Sequence, residues 1–313
     1  MSGVLERRLV AVVAAVLIDR FTPEPPNRWH PVAWFGTTML AVERRLWHDG
    51  RPPGVLYAAI GFGLGVAGGR LVRSPTVALS IALGAGSLRS TAAAIGALVA
   101  DDDLVGARRA LPSLVGRDPS ELDAGGIAAA VVESVGENTV DATVAPIVWT
   151  LVAGAPGALG YRAVNTMDAM VGHRNPRYAR FGWASARLDD VANWVPARVF
   201  AAAVVAAAPS RRSAIARAIR FDAPAHPSPN AGVAEAAVAG ALGVELGGSL
   251  RYGDRVEHRP RLGTGPRPDA ATVRSANRLV DRSLVALGLA GLAAIVGGRF
   301  LRVVSSAKTG DRR

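Results

Sequence analysis

E-S-V-G-E-N-T-V-D-A-T-V-A-P, residues 133–146, is followed by an apolar run to Tyr161. Two polar motifs come next: N-T-M-D-A-M-V-G-H-R-N-P-R-Y at 165–178 and F-G-W-A-S-A-R-L-D-D-V-A-N-W-V-P-A-R at 181–198. Carboxylates, asparagines, arginines and a histidine stand here among apolar residues. Placing such groups in a dry interior costs several kcal/mol each unless they are paired or put to use. Glu133, Glu137 and Asp141 are spaced i, i+4, i+8, so a helix carries them as one stripe, with Asn138 beside it. Three acids on one stripe repel unless a cation lies between them, and Mg²⁺ prefers carboxylate oxygens, water and phosphates. The plain alternative is a solvated acidic face at a helix end.

Outward from this stretch, other apolar blocks define the class. Half of the 313 residues are hydrophobic, and mean hydropathy is +0.24. The blocks at 52–69 and 142–161 carry no charge and are about long enough to cross a bilayer. The block at 283–298 is slightly short, and those at 9–18, 74–88 and 199–209 are shorter. Alanine and glycine dominate, as close helix packing in lipid requires. The expectation is an all-α, polytopic integral membrane bundle of roughly four to six membrane helices with polar, Pro-rich loops. One domain is expected over 1–304, with an unstructured tail at 305–313. The alternative is a very Ala-rich soluble helical protein. Arg7-Arg8 precede the first block and Asp19-Arg20 follow it without a small-residue cleavage site, so no cleaved signal is expected.

Net charge is +11, almost all from arginine, Lys308 being the only lysine. The arginines are scattered between apolar blocks and do not gather on a recognisable module, which argues against nucleic acid as a partner. Cysteine is absent, which excludes disulfides, thiolate metal sites and a cysteine nucleophile.

Prolines 23, 25, 26 and 31 forbid a helix there and make a stiff loop carrying Asp19, Glu24, Arg28 and His30. Val32–Trp47 has the pattern of an amphipathic helix with Glu43, Arg44 and Arg45 outward. Gly63-Leu-Gly65-Val-Ala-Gly68 matches a dinucleotide fingerprint, but no strand precedes it. Gly61, Gly65 and Gly69 are instead spaced for close helix packing. An aspartate within 101–103 is expected to cap a short helix, and Ser120 to cap the helix leading into the acidic stripe.

Asn165 and Asp168 share a helix face with Arg162 behind them. His173 lies past that helix end, because Gly172 precedes it and Asn175-Pro176 stops continuation. Arg174 and Arg177 flank the turn as phosphate-binding candidates, or as ordinary basic residues at the membrane surface. Arg187 and Asp190 share a face on the next helix, with Asp189 and Asn193 adjoining; an Arg187–Asp190 ion pair explains only half of that set. Arg211, Arg212, Arg217 and Arg220 make a basic surface helix. His226, Ser228 and Asn230 sit in a second Pro-locked loop, 231–250 is a packed or re-entrant helical piece, and 251–274 is a surface loop.

At this point the sequence resembles the cobalamin-biosynthesis CobD/CbiB family, the adenosylcobinamide-phosphate synthases. The resemblance rests on L-V-G-R-D at 114–118, E-S-V-G-E-N-T-V-D at 133–141, A-P-G-A-L-G-Y-R-A-V-N-T-M-D-A-M-V-G-H at 155–173, F-G-W-A-S-A-R-L-D-D at 181–190 and H-P-S-P-N-A-G at 226–232. It departs from the family where Pro23-Glu24-Pro25 replaces a Gly-Asp-Pro-like turn, and at Val233, where a bulkier residue is usual. The resemblance implies a multi-pass cell-membrane enzyme whose active site faces the cytoplasm. It would join a propionate of adenosylcobyric acid to (R)-1-aminopropan-2-ol or its phosphate, with ATP and Mg²⁺. Other late cobalamin-pathway membrane enzymes would be partners besides the lipid bilayer.

Such chemistry needs carboxylates on Mg²⁺, arginines on phosphates and a base for the ammonium. Glu133, Glu137 and Asp141 are the expected metal ligands, with Glu137, Asp168, His173 and Asp190 as catalytic candidates. Arg174, Arg177, Arg187, Asn165, His30, His226, Ser228 and Asn230 are candidates for substrate or phosphate. His30 and His226 are alternative bases. No G-x-x-x-x-G-K-[ST] occurs, so ATP and Mg²⁺ are implied by the resemblance alone. Two other classes use the same ingredients: a Mg²⁺-dependent intramembrane transferase acting on a prenyl or nucleotide diphosphate, and a transporter. The lack of an inverted repeat argues against the transporter.

Overall fold

The computed structural model describes residues 3–116, 118–173, 175–252 and 255–310. It is a helical membrane bundle with one small β-hairpin. Among the described residues, three helical stretches are long and apolar enough to cross a membrane: Arg51–Val72, Pro75–Ala100 and Ala124–Val171. A fourth appears if Trp183–Ala192 and Trp194–Ala207, bent by 42° at Asn193, form one broken span. This sits at the low end of the expected number, because 9–18 belongs to a helix with charges at both ends and 283–298 to a longer mixed one.

The first helices are α1 (Gly3–Phe21), α2 (Pro31–Leu46) and α3 (Arg51–Val72). Pro23–Pro26 keep the link between α1 and α2 out of helix, apart from one 3₁₀ turn at Asn27–Trp29. α4 (Pro75–Ala82) and α5 (Ala85–Ala100) are separated at Leu83-Gly84, and α6 spans Leu104–Ala110 with Asp103 as its N-cap. α7 (Ala124–Thr139) begins at Asp123, whose carboxylate accepts from Gly126 N at 2.6 Å. The cap is therefore Asp123 rather than Ser120, because Asp123 sits three residues before the free N–H it satisfies.

α7 runs through a π turn at Val140–Val144 into α8 (Ala145–Val171). A π turn leaves carbonyls out of register with the α ladder, and Ala142 O accepts from Gly84 N at 3.0 Å. The α4–α5 break and the π turn thus satisfy each other. A second defect lies at Gly154 (φ +67°) and Pro156. Proline has no N–H for the carbonyl four residues back, Val152 O. Arg8 of α1 supplies the donors instead, at 2.7 Å to Val152 O and 2.9 Å to Leu151 O.

The glycine stripe is the α3–α8 seam. A Cβ on Gly61 would strike Met167, and one on Gly65 would lie 2.6 Å from both Ala163 Cβ and Leu159 O. On Gly69 it would lie 2.5 Å from Ala155 O. Gly63, two residues from Gly61 and from Gly65 and so off the stripe's face, meets nothing within 4 Å. Beside this seam, Met39, Tyr57, Val164, Met167, Val171 and Phe181 form one buried core. A larger core joins α5 and α7 to α10 (Trp194–Ala207), α12 (Ala231–Leu242) and α13 (Ala270–Gly310). Between α8 and α10 lies α9 (Trp183–Ala192), and before α12 lies the exposed basic α11 (Arg212–Phe221), as expected.

The stretch expected to be a loop after 250 is an antiparallel hairpin, β1 (Leu246–Tyr252) with β2 (Arg255–Leu262), followed by the start of α13. Leu246 and Leu262 pair and are buried at its base, so the hairpin is anchored by apolar packing. Helix α13 continues through Gly310, past Ser305, because no proline or glycine interrupts 299–309; residues 311–313 lie outside the described ones.

Glu43, expected to face outward on α2, is buried. It accepts from Tyr178 Oη at 2.8 Å and from Arg177 at 3.1 Å. This staple holds the segment between α8 and α9 against α2.

The α3–α8 seam makes a paired prediction. Gly65→Ala forces a Cβ into backbone and should destabilise by about 1–3 kcal/mol. Gly63→Ala should be neutral or stabilising by up to about 1 kcal/mol. Thermal midpoints of the detergent-purified proteins check both.

Candidate active site

A cavity of about 270 Å³ opens where α7, the π turn, α8, α9 and the 226–230 loop converge. Five carboxylates line it: Glu137, Asp141, Asp168, Asp189 and Asp190, with Asn193, Ser228 and Asn230. They arrive on four supports. Glu137 ends α7, Asp141 lies in the π turn, Asp168 closes α8, and Asp189 and Asp190 close α9.

Asn193, buried at the bend between α9 and α10, ties two of these supports together. Its Nδ2 donates to Asp141 Oδ1 at 3.0 Å and to Asp189 Oδ2 at 2.9 Å. Tyr161 Oη donates to Asn193 Oδ1 at 2.9 Å, which fixes which end of the amide faces the acids. Asn165 stands beside both Asp141 and Asp189, and its Oδ1 accepts from Arg162 at 3.3 Å. Asp189 Oδ1 is buried with no hydrogen-bond partner among the described residues. A buried carboxylate oxygen without a donor is costly, and a cation would satisfy it.

The 226–230 loop forms the opposite wall. Ser228 Oγ accepts from Asn230 N at 3.3 Å and Ala231 N at 3.2 Å, starting α12. Asn230 Nδ2 donates to Asp190 O at 2.7 Å. His226 Nδ1 accepts from Ser228 N at 3.1 Å, and its Nε2 lies 3.8 Å from Glu235 Oε1. Burial holds the His226 pKa below the ordinary histidine value, so the ring is neutral at pH 7.

Several expected residues lie elsewhere. Glu133 accepts from Gly247 N at 2.8 Å and faces Arg259 at 4.0 Å, so it anchors the hairpin. The reason is length: positions i and i+8 of a helix stand about 12 Å apart, too far for one small ion. His30 caps α2, its Nδ1 accepting from Val32 N at 3.2 Å. His173 is exposed past the end of α8 and does not line the cavity. Arg177 engages Glu43, not the cavity. Arg187 reaches Asp190 at 3.3 Å from the rim. Arg174 lies outside the described residues. Asn193 and Asp189 were visible in the sequence as a polar pair at i, i+4 without an assigned role; Glu43 gave no signal beyond an ordinary helical acid.

Among the described residues, no three acids or histidines stand close enough to ligate one metal together. That excludes an all-protein cage but suits Mg²⁺, which keeps several waters and binds through one or two carboxylates. Asp141 and Asp189, side by side under Asn193, are the fitting pair, with Asp168 across the cavity.

If Arg177 serves the staple, Arg177→Gln should leave the KM for every phosphorylated substrate unchanged. Glu43→Ala should lower the thermal midpoint and speed limited proteolysis within 173–181. Steady-state kinetics and a timed digest check the two outcomes.

The family model described as CobD/CbiB protein matches residues 12–280. A Mycobacterium bovis protein named cobalamin biosynthesis protein CobD is 45% identical over 309 residues, covering 94% of this chain and 97% of its own. A Mycobacterium tuberculosis protein of the same name is 46% identical, covering 93% and 96%. One from Rhodobacter capsulatus is 43% identical, covering 85% and 80%. No solved structure matches the chain. The chain is a member of the CobD/CbiB family.

Proposed function

We propose that this chain acts in cobalamin biosynthesis as an amide synthase. It joins a propionate carboxylate of adenosylcobyric acid to (R)-1-aminopropan-2-ol or its O-phosphate. The observation that carries the reading is the cavity that gathers five carboxylates from α7, the π turn, α8 and α9 around a buried Asn193. Membership of a family whose relatives are named for cobalamin biosynthesis supports a corrinoid substrate.

A carboxylate is a poor electrophile, and an amine is protonated in water. The first is activated as an acyl phosphate, its oxygen taking the γ-phosphoryl group of ATP as ADP leaves. The amine nitrogen then attacks the carbonyl carbon and inorganic phosphate departs. Asp141 and Asp189 would hold Mg²⁺, which when bound would neutralise phosphate charge. Asp168 faces the same cavity and completes its negative field. Glu137, whose carboxylate opens onto the cavity, takes the ammonium proton. This role passes to Glu137 because none of His30, His173 and His226 lines the cavity.

Size limits how the substrates enter. A cavity of about 270 Å³ is at the small end for a drug-sized ligand. It accommodates phosphates and a short amino alcohol, while the corrin ring stays at the mouth and only its propionate arm reaches in. In this reading the enzyme sits in the cell membrane, with the site on the cytoplasmic side, where ATP and the corrinoid are met; the long apolar helices support a membrane location.

The test is direct. Purified chain in nanodiscs, given adenosylcobyric acid, the amino alcohol phosphate, ATP and Mg²⁺, should yield a cobinamide phosphate by mass spectrometry, with one ADP per amide. Absence of that product, with turnover of a prenyl or nucleotide diphosphate instead, overturns the reading. Within the reaction, Asp189→Asn and Asp141→Asn should each lower kcat by about 100-fold or more, and Asn193→Ala by about 10-fold or more.

A further inference from the structure

Helices α1 and α13 approach each other at Leu9 and Gly291, where a Cβ on the glycine would lie 3.6 Å from Leu9 Cδ2. Toward Arg20 and Asn277 a groove of about 380 Å³ lies between them, with Leu88 of α5 and Val135 of α7 in its lining. This groove is on the reverse of the acidic cavity. Thr139 and Thr143 line the groove, while Val140 and Asp141 line the cavity.

Both helices change character at the level of the groove. The apolar run of α1, 9–18, ends at Asp19-Arg20, and the uncharged run of α13, 283–298, begins after Asp281-Arg282. A helix passing between bilayer and water changes in this way. The groove spans the change: Val16, Leu17, Leu284 and Val285 line its apolar part, and Arg20, Arg89 and Asp281 its polar part. Val13 and Leu17 on α1, and Val285, Leu289 and Leu292 on α13, are exposed, as residues facing acyl chains are.

Most polar groups at the rim are engaged within the protein. Asp19 accepts from Gly86 N at 3.1 Å, Arg89 reaches Asp281 at 3.3 Å, and Asn277 donates to Arg89 O at 3.3 Å. Arg20 differs. It is exposed, and among the described residues no carboxylate oxygen comes within 4.0 Å of it. A guanidinium without a counter-ion, at the level where apolar helix gives way to charge, matches a lipid phosphate. A soluble anion would satisfy Arg20 and leave the apolar part to water. A purely apolar molecule would fill the groove and leave Arg20 alone. A phospholipid does both.

We infer that this groove binds one phospholipid, with its phosphate on Arg20 and one acyl chain between α1 and α13 against α7. The chain supports the side of α7 and of the π turn opposite Glu137 and Asp141. This holds whatever reaction the acidic cavity performs.

Native mass spectrometry of the detergent-purified protein titrated with dioleoyl phosphatidylglycerol tests the site. One lipid should stay on the wild type under activation that strips all others. Arg20→Gln should weaken that binding about 10-fold or more, and Val285→Trp, which fills the groove, should do the same. Leu289→Trp, on the same helix but outside the lining, should leave it unchanged. Hydrogen exchange across 135–143 should slow when the lipid is added to the wild type, and not when it is added to Val285→Trp. If Val285→Trp fails to fold by thermal melting, Arg20→Gln, at an exposed position, carries both comparisons. Lipid bound equally by the wild type, Arg20→Gln and Val285→Trp belongs to the general lipid shell and overturns the site. So does a wild type that retains no lipid, inorganic phosphate bound as tightly as the lipid, or a dimer that Val285→Trp dissolves, which would put a second copy of the chain in the groove.

Discussion

One buried amide holds the centre of this protein together. Asn193 donates to Asp141 and Asp189 at once, and Tyr161 fixes its orientation. Two carboxylates brought side by side in an apolar bundle repel and lose hydration. A neutral double donor relieves part of this cost without cancelling the charge. An arginine in the same place would neutralise the pair and remove its attraction for a cation. The arrangement leaves Asp189 Oδ1 without a hydrogen-bond donor among the described residues, a deficit that a cation would relieve.

Much of the bundle serves to bring those two acids together. The π turn carries Asp141, and its displaced carbonyl at Ala142 is taken up by Gly84 at the α4–α5 break. The α3 glycines let α8 approach closely enough to bury Tyr161 and Met167. The Glu43–Arg177–Tyr178 staple secures the segment leading from Asp168 to α9. Arg8 repairs the carbonyls freed at the Gly154–Pro156 kink. Each helix defect thus has a named partner, as expected where backbone groups cannot turn to water.

The sequence showed the class and the neighbourhood of the site, but not its inner order. Apolar blocks gave the membrane bundle, Gly61-x₃-Gly65-x₃-Gly69 gave a close-packing helix face without its partner, and the polar stretch at 133–198 contained all five cavity acids. Helical periodicity groups residues by face and says nothing of distance along the axis, so Glu133 was grouped with Asp141 although it anchors the hairpin. The hairpin itself had a signal: Tyr252-Gly253-Asp254-Arg255 places a Gly-Asp pair between β-prone segments. Glu43 had none, because its role depends on a partner more than a hundred positions away, Tyr178.

The central claim is that Asp141 and Asp189 hold a divalent cation between the helices Asn193 joins. Electron paramagnetic resonance of Mn²⁺ titrated into the detergent-purified protein tests it directly. The account predicts one bound Mn²⁺ that Mg²⁺ displaces, with affinity reduced about 10-fold or more in Asp189→Asn and in Asp141→Asn. Mn²⁺ binding that is absent from the wild type, or unaltered in both variants, would contradict it.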